Sequence, residues 1–403
     1  MYFTPVFVFI PRSEEGLGIR DPRAAYYAKK LSFYLDTLNS DDPQVRHTAR
    51  TSLELHMEKR KVDTTKTEQN FAGYATNSKY ITKKKSKVNW SKCQSITLNE
   101  LCAKLNLKLH KEEEKYIMVP ERDEETQIVL CDPEGCYTYL KQNLLPRRLE
   151  QWREKKSQGR IGRTKNVDHT LSSAHLTNLH LSDSLTKFIT KAKLQLIECD
   201  SLLHLYYPSA YSKQCKRCAF HTETLSHILN GCKKSKKQIQ TRHNRIMNII
   251  ASNLSQNNED KCILVDQVVK QAHFLQESSG RFADIQHSRP DICIIDYANG
   301  KCSIVEVATP YDPFLNDCYD SKFQKYIPLC QRIQETGFHC TVIVLVIGSL
   351  GSVHDRFCSG MKLLGLNTQR AKAVARYCSV SSMIGSFIVW RVRCKTVLEE
   401  ALG

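Results

Sequence analysis

Cys215, Cys218, His227 and Cys232 form a C-x2-C-x8-H-x4-C series. A close cysteine pair makes a tight knuckle, and a His and a Cys four residues apart converge from a short helix. Four soft ligands with no open position are the chemistry of a structural zinc site. His221 competes for the third place, but it would crowd the cysteine pair, so His227 is preferred. In a short module such an ion takes the place of a hydrophobic core. Cations crowd the same stretch: Lys216, Arg217, Lys233, Lys234, Lys236, Lys237, Arg242, His243 and Arg245. On a metal-ordered backbone they suit contact with the phosphates of DNA or RNA, which positions a partner without reading its sequence. A solvated basic helix face is the plainer reading of the same residues.

A second chemistry lies further on. Two strand-like runs flank Asn299-Gly300, the strongest two-residue hairpin signal. With those two as the turn, Ala298 faces Lys301 and Asp291 faces Ala308. Glu306 then lies on the same face as Asp291, as its diagonal neighbour, while Asp296 has the opposite parity. Two carboxylates among Ile, Val and Cys repel each other and resist burial unless something positive sits between them. A divalent cation, Mg²⁺ or Mn²⁺, held by the hard oxygens of Asp291 and Glu306, meets that need. Such an ion polarises a phosphodiester and lowers the pKa of an attacking water. Lys322 and Lys325, three apart on the following helix with Tyr326 beside them, are the cations placed to steady the transition state. The plainer alternative is a surface hairpin with two solvated acids and two exposed lysines.

The elements that must position these groups follow from patterning. Residues 1–62 read as helical, with Asp41-Asp42-Pro43 as a helix start and Asn39–Val62 as one amphipathic helix. Residues 63–94 are polar and basic, carry Lys83-Lys84-Lys85-Ser86-Lys87, and read as a linker. Residues 95–213 read as a mostly helical linker domain, clearest in Cys136–Lys156 and again in Leu171–Leu205. Residues 214–245 are the knuckle and its basic tail. Residues 246–403 alternate short β-branched strands (Ile292–Ile295, Ser303–Val307, Thr341–Ile347) with helical stretches near 315–335 and 368–390, the pattern of an α/β domain. The fold class expected is therefore multidomain: a mostly α N-terminal half, a small zinc knuckle and a C-terminal α/β domain.

The 403 residues carry 59 Lys+Arg against 42 Asp+Glu, a net charge of +17, which points to a polyanionic partner. A mean hydropathy of −0.43 speaks against a membrane protein and against a wholly disordered chain. The runs Val342–Ile347 and Ile292–Ile295 are of strand length, too short to span a bilayer. The stretch Met1–Ile10 lacks a basic n-region and an A-x-A cleavage site, so no signal peptide is expected, and an internal start, as in a fragment, is an equal expectation. Without a secretory signal, the 17 cysteines read as metal ligands and buried thiols rather than a disulfide framework, with Cys293, Cys302, Cys330 and Cys340 inside apolar runs. Nothing in the sequence speaks to oligomeric state.

Asp291-x14-Glu306 after Arg289-Pro290, with Lys322 downstream, is similar to the PD-(D/E)xK nucleases. Ala308 stands where their lysine usually sits, two residues after Glu306. A lysine moved to the next helix, in a nuclease that a CCHC knuckle precedes, resembles instead the restriction-like endonuclease of site-specific non-LTR retrotransposon polyproteins. The stretches Glu223–Leu229 and Arg242-His243-Asn244 resemble that family's knuckle segment. Gly16-Leu17-Gly18-Ile19-Arg20-Asp21-Pro22 resembles the start of its reverse-transcriptase thumb, and Trp152 with Gln158-Gly159 its helical linker.

The resemblance implies metal-dependent nicking of target DNA, whose free 3′-OH primes reverse transcription of element RNA, in the nucleus. It assigns Asp291 and Glu306 to the metal, and Lys322, with Lys325 as substitute, to charge stabilisation. The sequence has no [FY]-x-D-D in a strand context, so polymerisation is not expected of this chain. A catalytically inactive, zinc-dependent DNA- or RNA-binding module from a degenerate element is the rival expectation.

Overall fold

The computed structural model describes residues 5–59, 107–112, 115–120, 133–177, 181–219, 221–255, 260–269 and 287–402. The expected basic linker, with its lysine run, lies outside the described residues. The described chain is mostly helical, with one small mixed sheet and one two-stranded hairpin. It forms two compact units: Ile19–Glu150, and Met1–Gly18 together with Gln151–Gly403. The division therefore falls inside the segments 1–62 and 95–213 expected from the sequence, not at their ends.

In the unit Ile19–Glu150, helix α1 (Pro22–Leu38) starts where Asp21 accepts the Arg23 N–H at 2.8 Å, with Pro22 supplying a pre-set first φ. Helix α2 (Pro43–Lys59) starts the same way, Asp42 accepting the Gln44 N–H at 2.8 Å, as the Asp-Asp-Pro signature foretold. A hairpin of β1 (Leu107–Glu112) and β2 (Lys115–Pro120) follows, then helix α3 (Pro133–Arg153). Reading residues 95–213 as mostly helical missed this hairpin. Alternation along β1 buries Leu107 among Tyr116, Met118, Leu31 and Leu140, and six residues of alternation are too few to outweigh helical neighbours on either side.

In the larger unit, residues preceding α1 are tied to the C-terminal part by a buried network. Glu15, 1% exposed, accepts from Lys193 at the end of helix α4 (Asp183–Lys193), and His169 Nδ1 lies 3.0 Å from its other oxygen. Lys193 also donates to the Ser172 carbonyl at 3.1 Å. Burial alone would raise the Glu15 pKa, but the Lys193 charge and the hydrogen bonds outweigh it and hold the carboxyl down at about 2. The bond to Glu15 outweighs burial at His169 and raises its pKa.

The signs of these shifts differ. The Glu15 contribution is complete above its unfolded pKa near 4.5 and is lost as pH falls towards about 2. The His169 contribution is complete below its unfolded value of 6.5 and is lost as pH rises through the raised folded value. Lys193→Met is expected to cost about 3 kcal/mol by leaving a buried carboxylate without its ammonium. A thermal melt series should also find its acid limb shallower than the wild type's below pH 4.5.

The sheet runs β3-β4-β5-β6, with β3 Cys262–Val265, β4 Ile292–Asp296, β5 Lys301–Ala308 and β6 His339–Val346. The first three strands are antiparallel; β5 and β6 are parallel, joined over one face by the crossover helix Leu315–Gln334. Both faces are covered, which is why β4 and β6 read as nearly continuous apolar runs. Helix α5 (Lys236–Ser255) lays Ile246, Met247, Ile250 and Leu254 on Ile292, Ile294, Val305 and Val307. On the opposite face, helix α6 (Leu315–Gln334) lays Tyr326, Leu329 and Ile333 on Cys293, Ile295, Cys302 and Ile304. The described cysteines are free thiols, and these sit in the core as small apolar residues.

After the short helix α7 (Phe357–Leu363), helix α8 (Thr368–Leu402) runs through the unit. Its stretch Thr368–Lys395 is long and apolar enough, by length and composition, to cross a membrane, which the short apolar runs picked out from the sequence do not include. Half of its most apolar window is buried inside the unit, where Ala371, Val374, Ala375 and Cys378 join the core beneath α5 and Met383 and Val389 join the one beside the knuckle.

The Trp152 segment makes a local anchor. Its indole N–H donates to the Gln158 carbonyl at 3.0 Å, and Gly162 lies so close to the ring that a Cβ there would stand 2.7 Å from it.

A carboxylate site and a Cys3His cluster as candidate functional sites

The hairpin turn is longer than Asn299-Gly300. Asp296 pairs with Lys301, so residues 297–300 form a four-residue loop, and Ile292 pairs with Val305. Asp296 accepts the Asn299 N–H at 3.0 Å, and Gly300, at φ 58°, closes the turn. The side chain of Asp296 thus turns the chain before the pairing can reach Ala298. The shift from the expected register is two residues, and an even shift keeps every side chain on its face. Continued by one residue, the observed register sets Asp291 directly opposite Glu306 rather than diagonal to it.

Asp291 leads into β4, and its Oδ2 accepts the Val307 N–H at 2.7 Å. Glu306 is 3% exposed. Lys322 from α6 donates to Glu306 Oε1, and Lys325 Nζ lies 3.7 Å from the same oxygen. Lys325 also donates to the Tyr326 hydroxyl at 3.1 Å, and that hydroxyl donates to the Arg289 carbonyl at 3.0 Å, holding α6 to the entry of β4. Spacing of three on a helix faces both lysines to the hairpin, as the sequence proposed. Ala308 cannot be lysine here, because it is 4% exposed and packed with Leu315, Val344 and Val346. The start of α6 packs on Ala308 through Leu315, and the next turns of that helix bring the two lysines to Glu306.

The group that sequence reasoning misplaced is His243. It is not an exposed phosphate contact: its Nε2 donates to the Val307 carbonyl at 3.0 Å and lies 3.5 Å from Asp291 Oδ2. Burial opposes a charged imidazole, yet the hydrogen bond and charge of Asp291 overcome it and push the His243 pKa up to about 9. Burial likewise works to raise the Asp291 pKa, and His243, the Val307 N–H and the Lys322 charge together hold it below its ordinary value. Helical spacing was the missed signal, since His243 lies three and four residues before the buried Ile246 and Met247. Each carboxylate is therefore charge-balanced by side chains, Asp291 by His243 and Glu306 by the two lysines. The positive charge that the sequence argument asked of an ion is already supplied by the protein.

Cys215, Cys218, His227 and Cys232 bring their ligand atoms within 4.8 Å of one another, a Cys3His cluster that could hold a metal ion. Cys218 Sγ is 3.3 Å from His227 Nε2. Knuckle geometry supplies the convergence: the Ala219 N–H returns to the Cys215 carbonyl at 2.7 Å, and Ala219 takes φ 58°. A widened helical turn over His227–Gly231 ends with the Cys232 N–H on the His227 carbonyl at 2.7 Å. Burial lowers the His227 pKa and so favours the neutral imidazole that a metal requires. His221 is outside the cluster, contributing its carbonyl to the Cys215 N–H at 2.8 Å.

The surrounding cations divide. Lys233, Lys234, Lys236, Lys237 and Arg245 are exposed. Lys216 is exposed too, 3.8 Å from Asp200 and over the Tyr211 ring. Arg217 is committed to the knuckle, donating to Ser235 Oγ at 2.7 Å and the Lys234 carbonyl at 3.1 Å. Arg242 corrects the sequence reading outright. It is 1% exposed, donates to Ser386 Oγ at 2.7 Å, and passes so close to Gly385 that a Cβ there would stand 2.6 Å from it. Burial lowers its pKa to about 10. Arg242→Ala is accordingly expected to destabilise the protein by about 2–3 kcal/mol in a denaturant titration while leaving any salt dependence of nucleic-acid binding unchanged. Lys236→Ala should instead leave stability alone and reduce the log–log salt slope by roughly one.

No protein-family model matches the chain, and no curated protein matches it.

Proposed function

We propose that this chain is the nicking module of a non-LTR retrotransposon polyprotein, a metal-dependent endonuclease that cuts one strand of target DNA. The observation that carries the reading is Asp291 opposite Glu306 on one sheet face, with Lys322 from the crossover helix on the same carboxylate. The Cys3His cluster, one helix before the sheet in sequence and read as structural zinc, supports it.

The donor set suits Mg²⁺ or Mn²⁺, because both carboxylates offer hard oxygens at the end of the sheet. Val307 N–H and His243 both address Oδ2 of Asp291, which leaves Oδ1 for an ion. When bound, that ion supplies Lewis acidity and a water of lowered pKa. His243 is a positioning residue that fixes the Asp291 carboxylate. Lys322 offers the ammonium nearest the charge that builds on phosphate oxygens in the transition state. Hydrolysis joins a water oxygen to phosphorus and breaks the bond to the 3′ oxygen. The water's proton ends on that oxygen, leaving a 5′-phosphate and the 3′-OH from which reverse transcription would start.

One observation favours the rival reading, a binding module without catalysis. Asp291 and Glu306 are already neutralised by His243, Lys322 and Lys325, so the fold has no electrostatic need of an ion. Supercoiled plasmid with Mg²⁺ or Mn²⁺ separates the two. Nicking by the wild type and none by Asp291→Ala supports the nuclease; plasmid retarded on a gel but left intact by both proteins supports the binding module.

A further inference from the structure

Residues of helices α5 and α8 line an open groove of about 820 Å³ on the surface of the larger unit. Its α5 wall carries Asn244, Arg245 and Asn248, and its α8 wall carries Tyr377, Ser381 and Ile384. Two features of the α8 wall are out of keeping with a closed helix–helix seam. Tyr377 is 69% exposed, a large ring standing in solvent at the rim. Ser381 is 5% exposed, yet its hydroxyl has no hydrogen-bond partner.

The neighbouring serines of α8 show what that hydroxyl lacks. Ser379 donates to the Gly351 carbonyl at 2.6 Å, Ser382 to Gly348 at 2.8 Å and Ser386 to Ser349 at 2.6 Å. Those three pin the helix to one loop, while Ser381 lines the groove. A buried hydroxyl left unpaired costs about 1–3 kcal/mol, which a ligand offering a polar edge recovers.

We propose that this groove seats an unpaired nucleotide of single-stranded nucleic acid, its base stacked on Tyr377 with a polar edge on Ser381 and its phosphate on Arg245. The inference rests on the nucleic-acid partner proposed above and adds a strand-state preference that the carboxylate site does not carry. An aromatic face for the base, a guanidinium for the phosphate and amides for the base edge are the standard means of holding unpaired bases without reading long sequence. The exposed Lys236 and Lys237 on the same helix continue the positive charge towards the knuckle.

Fluorescence anisotropy with a labelled oligothymidylate, beside a duplex of equal length, tests it. Base stacking is worth about 1–3 kcal/mol, so Tyr377→Ala is expected to weaken single-strand binding by about tenfold or more. Duplex affinity should stay within about twofold, and Tyr377→Phe should restore single-strand binding. Ser381→Ala should weaken the single strand by about threefold. Because Tyr377 is 69% exposed, its truncation leaves the core intact. Equal losses on single strand and duplex, or no loss on either, would overturn the proposal, as would a wild type that binds no oligonucleotide at low salt. Loss of single-strand affinity in a protein that never nicks plasmid would sink the nuclease reading and leave the groove standing.

Discussion

Glu306→Gln protein is expected to nick supercoiled plasmid about a thousandfold more slowly than the wild type, a loss of about 4 kcal/mol in transition-state stabilisation. The substitution keeps the shape of a side chain that is 3% exposed, so packing among the strands persists. What it removes is one negative charge and one hard-oxygen ligand facing Asp291. It also leaves Lys322 and Lys325 without their carboxylate, but at 33% and 29% exposure both reach solvent. The stability cost should therefore stay at about 1 kcal/mol. A large drop in rate with a small drop in melting temperature is the signature. A Glu306→Gln protein that nicks at the wild-type rate would remove Glu306 from the site.

Lys322→Ala separates the remaining roles within the same series. Removing a charge aimed at a developing anion costs about a hundredfold in rate. Lys325, 3.7 Å from Glu306 and already donating to Tyr326, is the weaker competitor, and its truncation should cost much less. Lys322 donates to Glu306, and its charge adds to those that hold the Asp291 pKa down, so it acts on both carboxylates. If Lys325→Ala were the more damaging of the two, the lysine assignments would exchange.

Parity was legible in the sequence; register was not. Asp291 and Glu306 share a face under any even register shift, so the pairing survived a turn that is two residues longer than Asn-Gly implied. The length of the turn was set by Asp296, whose carboxylate bonds the Asn299 N–H, and an Asx contact of that kind competes with a two-residue loop. The fourth strand, Cys262–Val265, went unread because four residues of partial burial at a sheet edge leave almost no periodic signal. Arg242 and His243 went wrong for a different reason. Composition placed them with Lys233–Lys237 in one basic run, whereas the helical period turns Arg242 towards Ser386 and His243 towards Asp291. Charge counted along a chain says nothing about which face of a helix holds it.

Loss of the knuckle's metal is the second large expected effect. On the structural-zinc reading of the Cys3His cluster, the purified protein should carry about one zinc per chain. A chelator selective for zinc should lower the melting temperature by roughly 10 °C, several kcal/mol in a protein of this size. The effect reaches beyond the ligands because the knuckle is not a free-standing finger. Leu225, Ile228 and Leu229 pack with Phe188, Ile189, Met383 and Val389. Glu223, fully buried, takes Arg393 at 2.5 Å and the Asp200 N–H at 3.1 Å, and Asn230 donates to the Thr309 carbonyl at 2.7 Å. Thr309 directly follows β5, so the knuckle is fastened to the strand that bears Glu306. Hydrogen exchange should accordingly rise first across residues 215–235, then at the end of β5, with the β4–β5 ladder protected longest. Binding of nucleic acid should fall at least about tenfold, since Lys233 and Lys234 follow Cys232 directly and lose the backbone that presents them. Withdrawing Mg²⁺ alone should stop nicking and leave binding and melting temperature unchanged. A protein that emerges without zinc, or melts identically with and without the chelator, would show that the Cys3His cluster holds its shape through the Leu225–Leu229 packing alone.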